Sequence, residues 1–330
     1  MALTKGTYII TGASGFVGKA LLTSLVQKGC EVIAIARRSH EELLRLGAVK
    51  VYAIDLARDS FNPDDFVGVL GVFHTAAKVE MWGSYQSFFQ TNVVGTQKVI
   101  DLCLQAGIEN LVFTSSPSVI ADGRNLRGVD EGYPYPESYK AYYPATKAIA
   151  EKMVLAEGQK RNSLKTVALR PHLIWGKGDT NLTPTVIEKA ERGKLMRIGR
   201  GDNLVDLTLI DDCVAAHLLA MEALQSDAPG INGEVFFISQ GDPVKLWWWI
   251  DQVLERNGIA AINRSLPYWA AYALAAGFEI GAKVLKREPL LTRFLVSEMA
   301  TDHYFNIQKA RQRLGFVPKF SIKDGLNRAF

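Results

Sequence analysis

Tyr143 and Lys147 stand four residues apart in the run Tyr142-Tyr143-Pro144-Ala145-Thr146-Lys147, a spacing that puts both on one face of a helix. A phenol has an ordinary pKa of about 10, and a nearby ammonium favours its ionised form. The pair is therefore expected to bring tyrosine towards the range in which it can give and take protons at cellular pH. Neither Tyr139 nor Tyr142 has a lysine four residues on, so the register is unambiguous. Upstream, Phe113-Thr114-Ser115-Ser116-Pro117-Ser118 supplies hydroxyls that could hold a carbonyl oxygen in place for hydride transfer. Ser116 and its neighbour Ser115 are both candidates.

Hydride chemistry needs a donor, and the start of the chain offers a seat for one. Thr11-Gly12-Ala13-Ser14-Gly15-Phe16-Val17-Gly18 places three glycines, each three residues from the next, between a strand and a helix. Gly12 permits a tight turn, Gly15 lets the backbone approach a pyrophosphate, and Gly18 lets the helix lie close to the sheet. The backbone of Gly12, Ser14, Gly15, Phe16, Val17 and Gly18 would then cradle phosphates at the positive end of the helix. The pattern is GxxGxxG and not the GxGxxG of the usual dinucleotide fingerprint. At the end of the second strand stand Arg37 and Arg38 with no acid. A carboxylate there would take the ribose hydroxyls of NAD, whereas guanidinium groups suit a 2′-phosphate, so NADP(H) is preferred to NAD. Asp55 and Leu56 follow the third strand and are placed to meet the adenine edge. Thr75, Ala76, Ala77 and Lys78 follow the fourth and are expected beside the cofactor.

These positions make sense only on alternating strands and helices. Strand signals lie at 8–11, 31–36, 49–54, 71–74, 111–114 and 166–169, and helical signals at 16–28, 40–46, 84–105 and 143–157. Strands such as 32–36 are apolar throughout, as burial on both faces requires. The pattern predicts an α/β fold, a Rossmann-type doubly wound parallel sheet, with its chemistry beyond the C-terminal strand ends. Residues 1–170 are expected to form the NADP-binding domain with the Ser/Tyr/Lys set. Residues 171–330 are expected to form a smaller, mixed α/β, mainly substrate-binding region, with some segments returning to the first. There the sequence predicts a loop over 171–185, helices over 186–192, 211–224 and 243–256, a turn cluster at 199–203 and a strand over 234–238.

The bulk numbers close off other classes. In 330 residues, 48% are hydrophobic and 22% charged, with a net charge of +4, a globular balance that does not point to nucleic acid. The three cysteines, Cys30, Cys103 and Cys213, are dispersed, and neither CxxC nor HExxH occurs, so no disulfide framework and no metal are expected. The N-terminal apolar stretch is short and runs into the glycines, reading as a strand and not a signal peptide. The apolar run 267–278 stops at Glu279, short of a membrane span. A cytoplasmic protein is expected.

The segments TGASGFVG, AAK, TNVVGT, FTSSPSV, YPATK and LRP, in that order, resemble the extended short-chain dehydrogenase/reductase family along essentially the whole chain. The resemblance implies that Ser116 holds the substrate oxygen, that Tyr143 is the acid–base and that Lys147 binds the nicotinamide ribose and tunes the tyrosine. It implies further that Asn92 supports the site and that Pro171 and His172 lie beside the nicotinamide ring. AAKVEMWGSYQSFFQTNVVGT, ALRPHLIWGKGD and EPLLTRF are similar to the 3β-hydroxysteroid dehydrogenase-like branch, and within it to reductases of long-chain β-keto acids. A ketone–alcohol oxidoreductase for a small hydrophobic substrate follows from that likeness, the substrate being a long-chain β-keto acid or sterol-like. Met81, Trp82, Ser116, His172 and Trp175, with Tyr268, Trp269, Tyr272 and Phe278, are of the types that line such a pocket, although the same types fill cores. Lys78, His172 or Arg293 could meet a substrate carboxylate. Residues 265–285 read either as a lid or as an amphipathic helix in peripheral contact with a membrane. The helices over 84–105 and 143–157 could pair in a homodimer, by analogy with related folds. Two other readings stay open: an NAD-dependent nucleotide-sugar epimerase or dehydratase, and a non-catalytic NADP(H) sensor.

Overall fold

The computed structural model describes residues 3–38, 40–80, 82–160, 164–285 and 287–330, the side chain of Lys283 excepted. The first half alternates β1 (Thr7–Thr11), α1 (Phe16–Gln27), β2 (Glu31–Ile35), α2 (His40–Arg45), β3 (Lys50–Tyr52), β4 (Gly71–His74), α3 (Tyr85–Phe88), α4 (Gly95–Ala106), β5 (Asn110–Thr114), β6 (Leu126–Val129), α5 (Tyr142–Gly158) and β7 (Lys165–Pro171). The second half runs through β8 (Ile174–Trp175), α6 (Leu182–Glu191), β9 (Arg197–Ile198), β10 (Leu204–Val205), β11 (Thr208–Leu209), α7 (Ile210–Gln225), β12 (Glu234–Ile238), β13 (Val244–Lys245) and α8 (Leu246–Arg256). It ends with β14 (Ser265–Leu266), α9 (Tyr268–Leu285), α10 (Arg293–Glu298), β15 (His303–Phe305), α11 (Gln308–Leu314) and α12 (Ile322–Ala329).

Seven strands form a parallel sheet in the order β12-β7-β5-β4-β1-β2-β3. Alternate residues of each strand serve opposite faces. Tyr8 and Ile10 join the core under α1 and α7, whereas Ile9 joins the core under α4 and α5. Successive crossovers leave β1 towards β2 on one side and arrive at β4 on the other. The chain therefore diverges beyond the C-terminal ends of β1 and β4, where a crevice opens.

Two stretches depart from the sequence pattern. The helix expected over 84–105 is interrupted by a π-helical segment, Phe89–Val94, between α3 and α4. The Thr96 hydroxyl donates to the Asn92 carbonyl at 2.6 Å, a side-chain bond to the preceding turn of the kind that loosens a helical ladder. The loop expected over 171–185 is shorter, because β8 pairs with β11 and α6 starts at Leu182. A second sheet, β13-β10-β15-β6, is assembled from strands of two to four residues. It takes β6 from the first half, while β12 returns from the second half to the main sheet.

A third core, around Trp175, Trp247 and Trp249, holds the C-terminal region together. Helix α9 packs on it through small side chains, with Ala271 and Ala275 fully buried. Its large apolar groups face outwards instead: Trp269 is 75% exposed, Ile280 66%, Val284 77% and Leu285 69%. Cys30, Cys103 and Cys213 are buried and free. Among the described residues no helix is long and apolar enough to cross a membrane, and no cluster of His, Cys, Asp and Glu could hold a metal ion.

Candidate active site

The glycine loop is formed as a close-packed turn. Gly12 has φ +69°, a left-handed conformation that glycine adopts without strain. A Cβ on it would lie 2.7 Å from the backbone of Ala76, and one on Gly18 would strike the Gly12 carbonyl. Helix α1 begins after Gly15 with no side-chain cap, so its first-turn amides are left for an outside acceptor. Ala76 and Thr75 close the other side, the Thr75 hydroxyl donating to the Thr11 carbonyl at 2.8 Å. A backbone cradle with free amides fits the pyrophosphate of a dinucleotide.

Around that cradle, Arg37 and Arg38 are exposed at the end of β2. Arg38 lines an open cavity of about 430 Å³ with His40, Glu41, Glu42 and Arg45. Asp55 caps its own turn by accepting from the Ala57 amide at 3.0 Å, and Leu56 is buried against Gly95. Ala77 and Lys78 continue from β4 half-buried, and the Lys78 ammonium pairs with Glu80.

Tyr143, Ser116 and Lys147 meet at the C-terminal end of β5. The Ser116 hydroxyl bonds the Tyr143 phenol and also Ser118 Oγ at 2.9 Å. Ser115, by contrast, is buried, and its Oγ finds no partner among the described residues. Lys147 is 2% exposed, donates to the Thr114 carbonyl at 2.6 Å and lies 3.9 Å from the centre of the Phe113 ring. The electrostatics differ from the sequence expectation. Burial pushes the Tyr143 phenol above its ordinary value, opposed only by the Ser116 bond. Burial also draws Lys147 down to about 7. In this form the tyrosine is a neutral phenol, a proton donor, and the lysine is poised between charged and neutral.

Asn92 ties the cradle to this helix. Its Oδ1 accepts from the Lys78 amide at 2.7 Å and its Nδ2 donates to Thr146 Oγ1 at 3.0 Å, one residue before Lys147. His74, which the sequence did not single out, lies behind it. Thr96 gives its proton to Asn92, so it must accept from His74 Nε2 at 2.9 Å. Nδ1 is then left to accept from the Thr11 hydroxyl at 2.6 Å. Burial, and then the Lys147 charge, push His74 down to about 3. A histidine at a strand end gave too little sign of this role, because both its partners are distant in sequence.

Several expected substrate contacts lie elsewhere. Trp175 is fully buried and packs edge-to-face on Trp249 at 5.5 Å, in the third core. Pro171 ends β7, and the His172 ring just beyond it is committed to His303, Nε2 to Nδ1 at 2.6 Å. His303 donates its own Nε2 proton to the Glu298 carbonyl, so His172 is the donor in that pair. Neither ring is free to meet a carboxylate. Leu173, the next residue, has φ +42°, and this uncommon turn carries the chain from β7 into β8. Arg293 pairs with Glu279 at 2.8 Å. Trp82 is half-buried near the cofactor-side loop, and Met81 lies outside the described residues. On α9, the Tyr268 and Tyr272 rings lie tilted against each other at 5.8 Å, with Lys140 over the Tyr272 ring at 5.7 Å, while Trp269 and Phe278 face out.

Comparison with known proteins agrees with this architecture. Residues 9–268 match the 3-beta hydroxysteroid dehydrogenase/isomerase family. The chain is 42% identical to the 2-alkyl-3-oxoalkanoate reductase of Stenotrophomonas maltophilia over 97% of both chains. It is 31% identical to the decarboxylating sterol-4-alpha-carboxylate 3-dehydrogenase of Mus musculus, over 97% of this chain and 88% of that one. In fold it resembles MoeE5, solved with UDP-glucuronic acid and NAD, with a TM-score of 0.74 and 25% identity over 98% and 97% of the two chains. The chain is thus a member of the 3-beta hydroxysteroid dehydrogenase/isomerase family, an oxidoreductase built on a Rossmann-like sheet.

Proposed function

We propose that the protein interconverts a ketone and a secondary alcohol on a hydrophobic substrate, a long-chain β-keto acid or a sterol-like molecule, with NADP(H). The observation that carries this reading is the meeting of Tyr143, Ser116 and Lys147 at the end of β5, next to the glycine crevice between β1 and β4. A bound nicotinamide dinucleotide supplies or accepts the hydride. Gly12, Ser14, Gly15, Phe16, Val17 and Gly18 would hold its pyrophosphate. Arg37 and Arg38 would hold the 2′-phosphate that distinguishes NADP from NAD. Asp55, Leu56, Thr75, Ala76, Ala77 and Lys78 would border its adenosine and ribose side, and Pro171 the nicotinamide.

Ser116 holds the substrate oxygen where the Tyr143 proton can reach it. Tyr143 protonates that oxygen in reduction and removes its proton in oxidation. Lys147 steadies the phenolate that reduction leaves and holds the nicotinamide ribose. The exposed apolar side of α9 we assign to contact with a lipid surface, the medium in which such substrates dissolve. Trp269 and Tyr268 at one end of the helix and Arg287 beyond the other are the types found where lipid meets water.

A screen of NADPH and NADH consumption over β-keto acids, sterol ketones and simple ketones tests the assignment, with the oxidative direction run in parallel. Turnover of a lipid-like ketone with NADPH is expected. Protein that purifies with NAD and epimerises a UDP-sugar would replace this reading with the epimerase one. Binding of NADPH with no turnover of any ketone or alcohol would favour a sensor. Co-sedimentation with phosphatidylglycerol vesicles, lost when Trp269 and Val284 become serine, is expected for α9, and its absence would remove the lipid contact.

A further inference from the structure

One turn beyond Lys147 lies a buried charge that the scheme above does not use. Glu151 has no exposed surface. Its Oε1 accepts from the Tyr135 hydroxyl at 2.6 Å and from Arg170 Nη2 at 2.6 Å, and its Oε2 accepts from Arg170 Nε at 2.9 Å. Arg170, on β7, is 1% exposed, and its Nη1 has no hydrogen-bond partner among the described residues. Burying such a pair costs on the order of several kcal/mol per ion, and packed apolar side chains often serve a fold as well or better. Stability alone is therefore a weak reason for this pair.

Lys147 supplies a stronger one. Its ammonium has one backbone acceptor and an aromatic face, and no carboxylate lies within ion-pairing distance of it among the described residues. Tyr143, Lys147 and Glu151 succeed one another at four-residue intervals along one face of α5. The other groups facing Lys147 are Thr114 and Phe113 from β5 and His74 from β4, which burial keeps neutral. Glu151 is faced by Arg170 from β7 and by Tyr135 and Tyr139 from the loop ahead of α5. Behind Arg170 stand Glu131, whose Oε1 accepts from the Phe237 amide, and Lys309, paired with Glu234. Glu151 is thus the negative charge on the lysine's own face. With Lys147, Glu151 and Arg170 all ionised, this row of side chains carries one net positive charge, which an ionised Tyr143 would cancel.

We propose that Glu151, clamped by Arg170 and Tyr135, is a positioning residue that holds Lys147 in its ammonium form and so sets the pH window in which Tyr143 works. The proposal rests on the reading of Tyr143 as the proton donor and acceptor. Burial draws Lys147 down, and the Glu151 carboxylate is the influence that opposes it. Without that charge the lysine loses its proton at a lower pH. The Tyr143 phenolate then loses its cation and forms only at a higher pH. Oxidation of the alcohol needs an ionised tyrosine beside a charged lysine. Because burial holds the tyrosine up and the lysine down, that is the minor of the two singly deprotonated forms. Both changes push the two titrations further apart and make it scarcer at every pH.

The test is the pH profile of kcat/KM for oxidation of 3-hydroxypalmitate with NADP+, in the full chain and in Glu151→Gln, which keeps the hydrogen-bonding shape without the charge. Both limbs are expected to move outwards, by about one unit between them, as the maximum falls about tenfold. Glu151→Asp, which keeps the charge, should move them back inwards and raise the maximum again. Tyr135→Phe, which leaves the charge and the Arg170 pair intact, should leave both limbs in place. A lower profile with unmoved limbs in Glu151→Gln would give the pair a purely structural role and overturn the proposal. If Glu151→Gln does not fold, the double variant Glu151→Gln/Arg170→Gln, which buries no lone charge, is read in the same way. Full turnover in Tyr143→Phe would instead overturn the functional reading. An inactive Tyr143→Phe with unmoved Glu151→Gln limbs would sink the positioning role alone.

Discussion

Among the described tyrosines, Tyr143 alone combines a bond to Ser116 with a lysine one turn on along its helix. Removing its hydroxyl should therefore remove the proton transfer and little else. Tyr143→Phe is expected to lower kcat about 10²- to 10⁴-fold while NADPH binding, followed by fluorescence, is unchanged. Weakened NADPH binding would instead give the residue a structural part in the cradle. His74 carries a pH signature of its own. Its pKa is about 3 in the fold against about 6.5 in an unfolded chain. Between those values the unfolded chain binds the extra proton, so stability falls as pH falls. The slope is about 1.4 kcal/mol per pH unit from this one residue. His74→Gln should flatten chemical-denaturation stability against pH by that amount between pH ~6 and ~4. An unchanged slope would mean that the native histidine is already charged. Among single residues, Tyr143, Lys147 and the glycines were legible because their chemistry is local: a four-residue spacing or a turn. His172 was misleading because His303, the partner that occupies its ring, lies 131 residues away. Glu151 follows Lys147 at the same spacing that singled out Tyr143, so the sequence did carry that signal.

Elements place these groups, and the best-read ones were those whose pattern is set by neighbours in sequence. The strands of the main sheet declared themselves as short apolar runs. The bounds predicted for β4 and β12 coincide with those of the structure. The second sheet did not, since strands of two to four residues owe their existence to partners far along the chain. The π-helical segment was equally silent, because one hydroxyl bonding back to Asn92 leaves no periodic trace. At the glycine loop, Gly18→Ala forces a methyl against the Gly12 carbonyl. It should push α1 away from the sheet, weaken NADPH binding and lower Tm together; loss of neither would mean that the loop yields easily. Trp175 makes the opposite case. It reads as a pocket aromatic but packs between Trp249 and Gly325. Trp175→Ala should cost about 3–5 kcal/mol of stability with substrate KM unaltered in the folded fraction. A raised KM at full stability would return it to the pocket.

At the scale of the whole molecule, the two halves of the chain exchange strands: β6 leaves the first half for the second sheet, and β12 makes the return journey. Neither half can be cut away without stripping a strand from the other. Cooperative unfolding in a single transition is therefore expected by calorimetry, with two resolved transitions as the contrary result.

Helix α9 separates two properties that most helices combine. Its methyl-sized contacts, Ala271, Ala275 and Ala282, anchor it together with Tyr272, while Trp269, Ile280, Val284 and Leu285 lie mostly exposed. The proposed adhesion and heat tolerance thus reside in different atoms of the same eighteen residues. Altering Trp269, Ile280, Val284 or Leu285 is therefore expected to change the proposed grip on greasy matter while the melting point scarcely registers it.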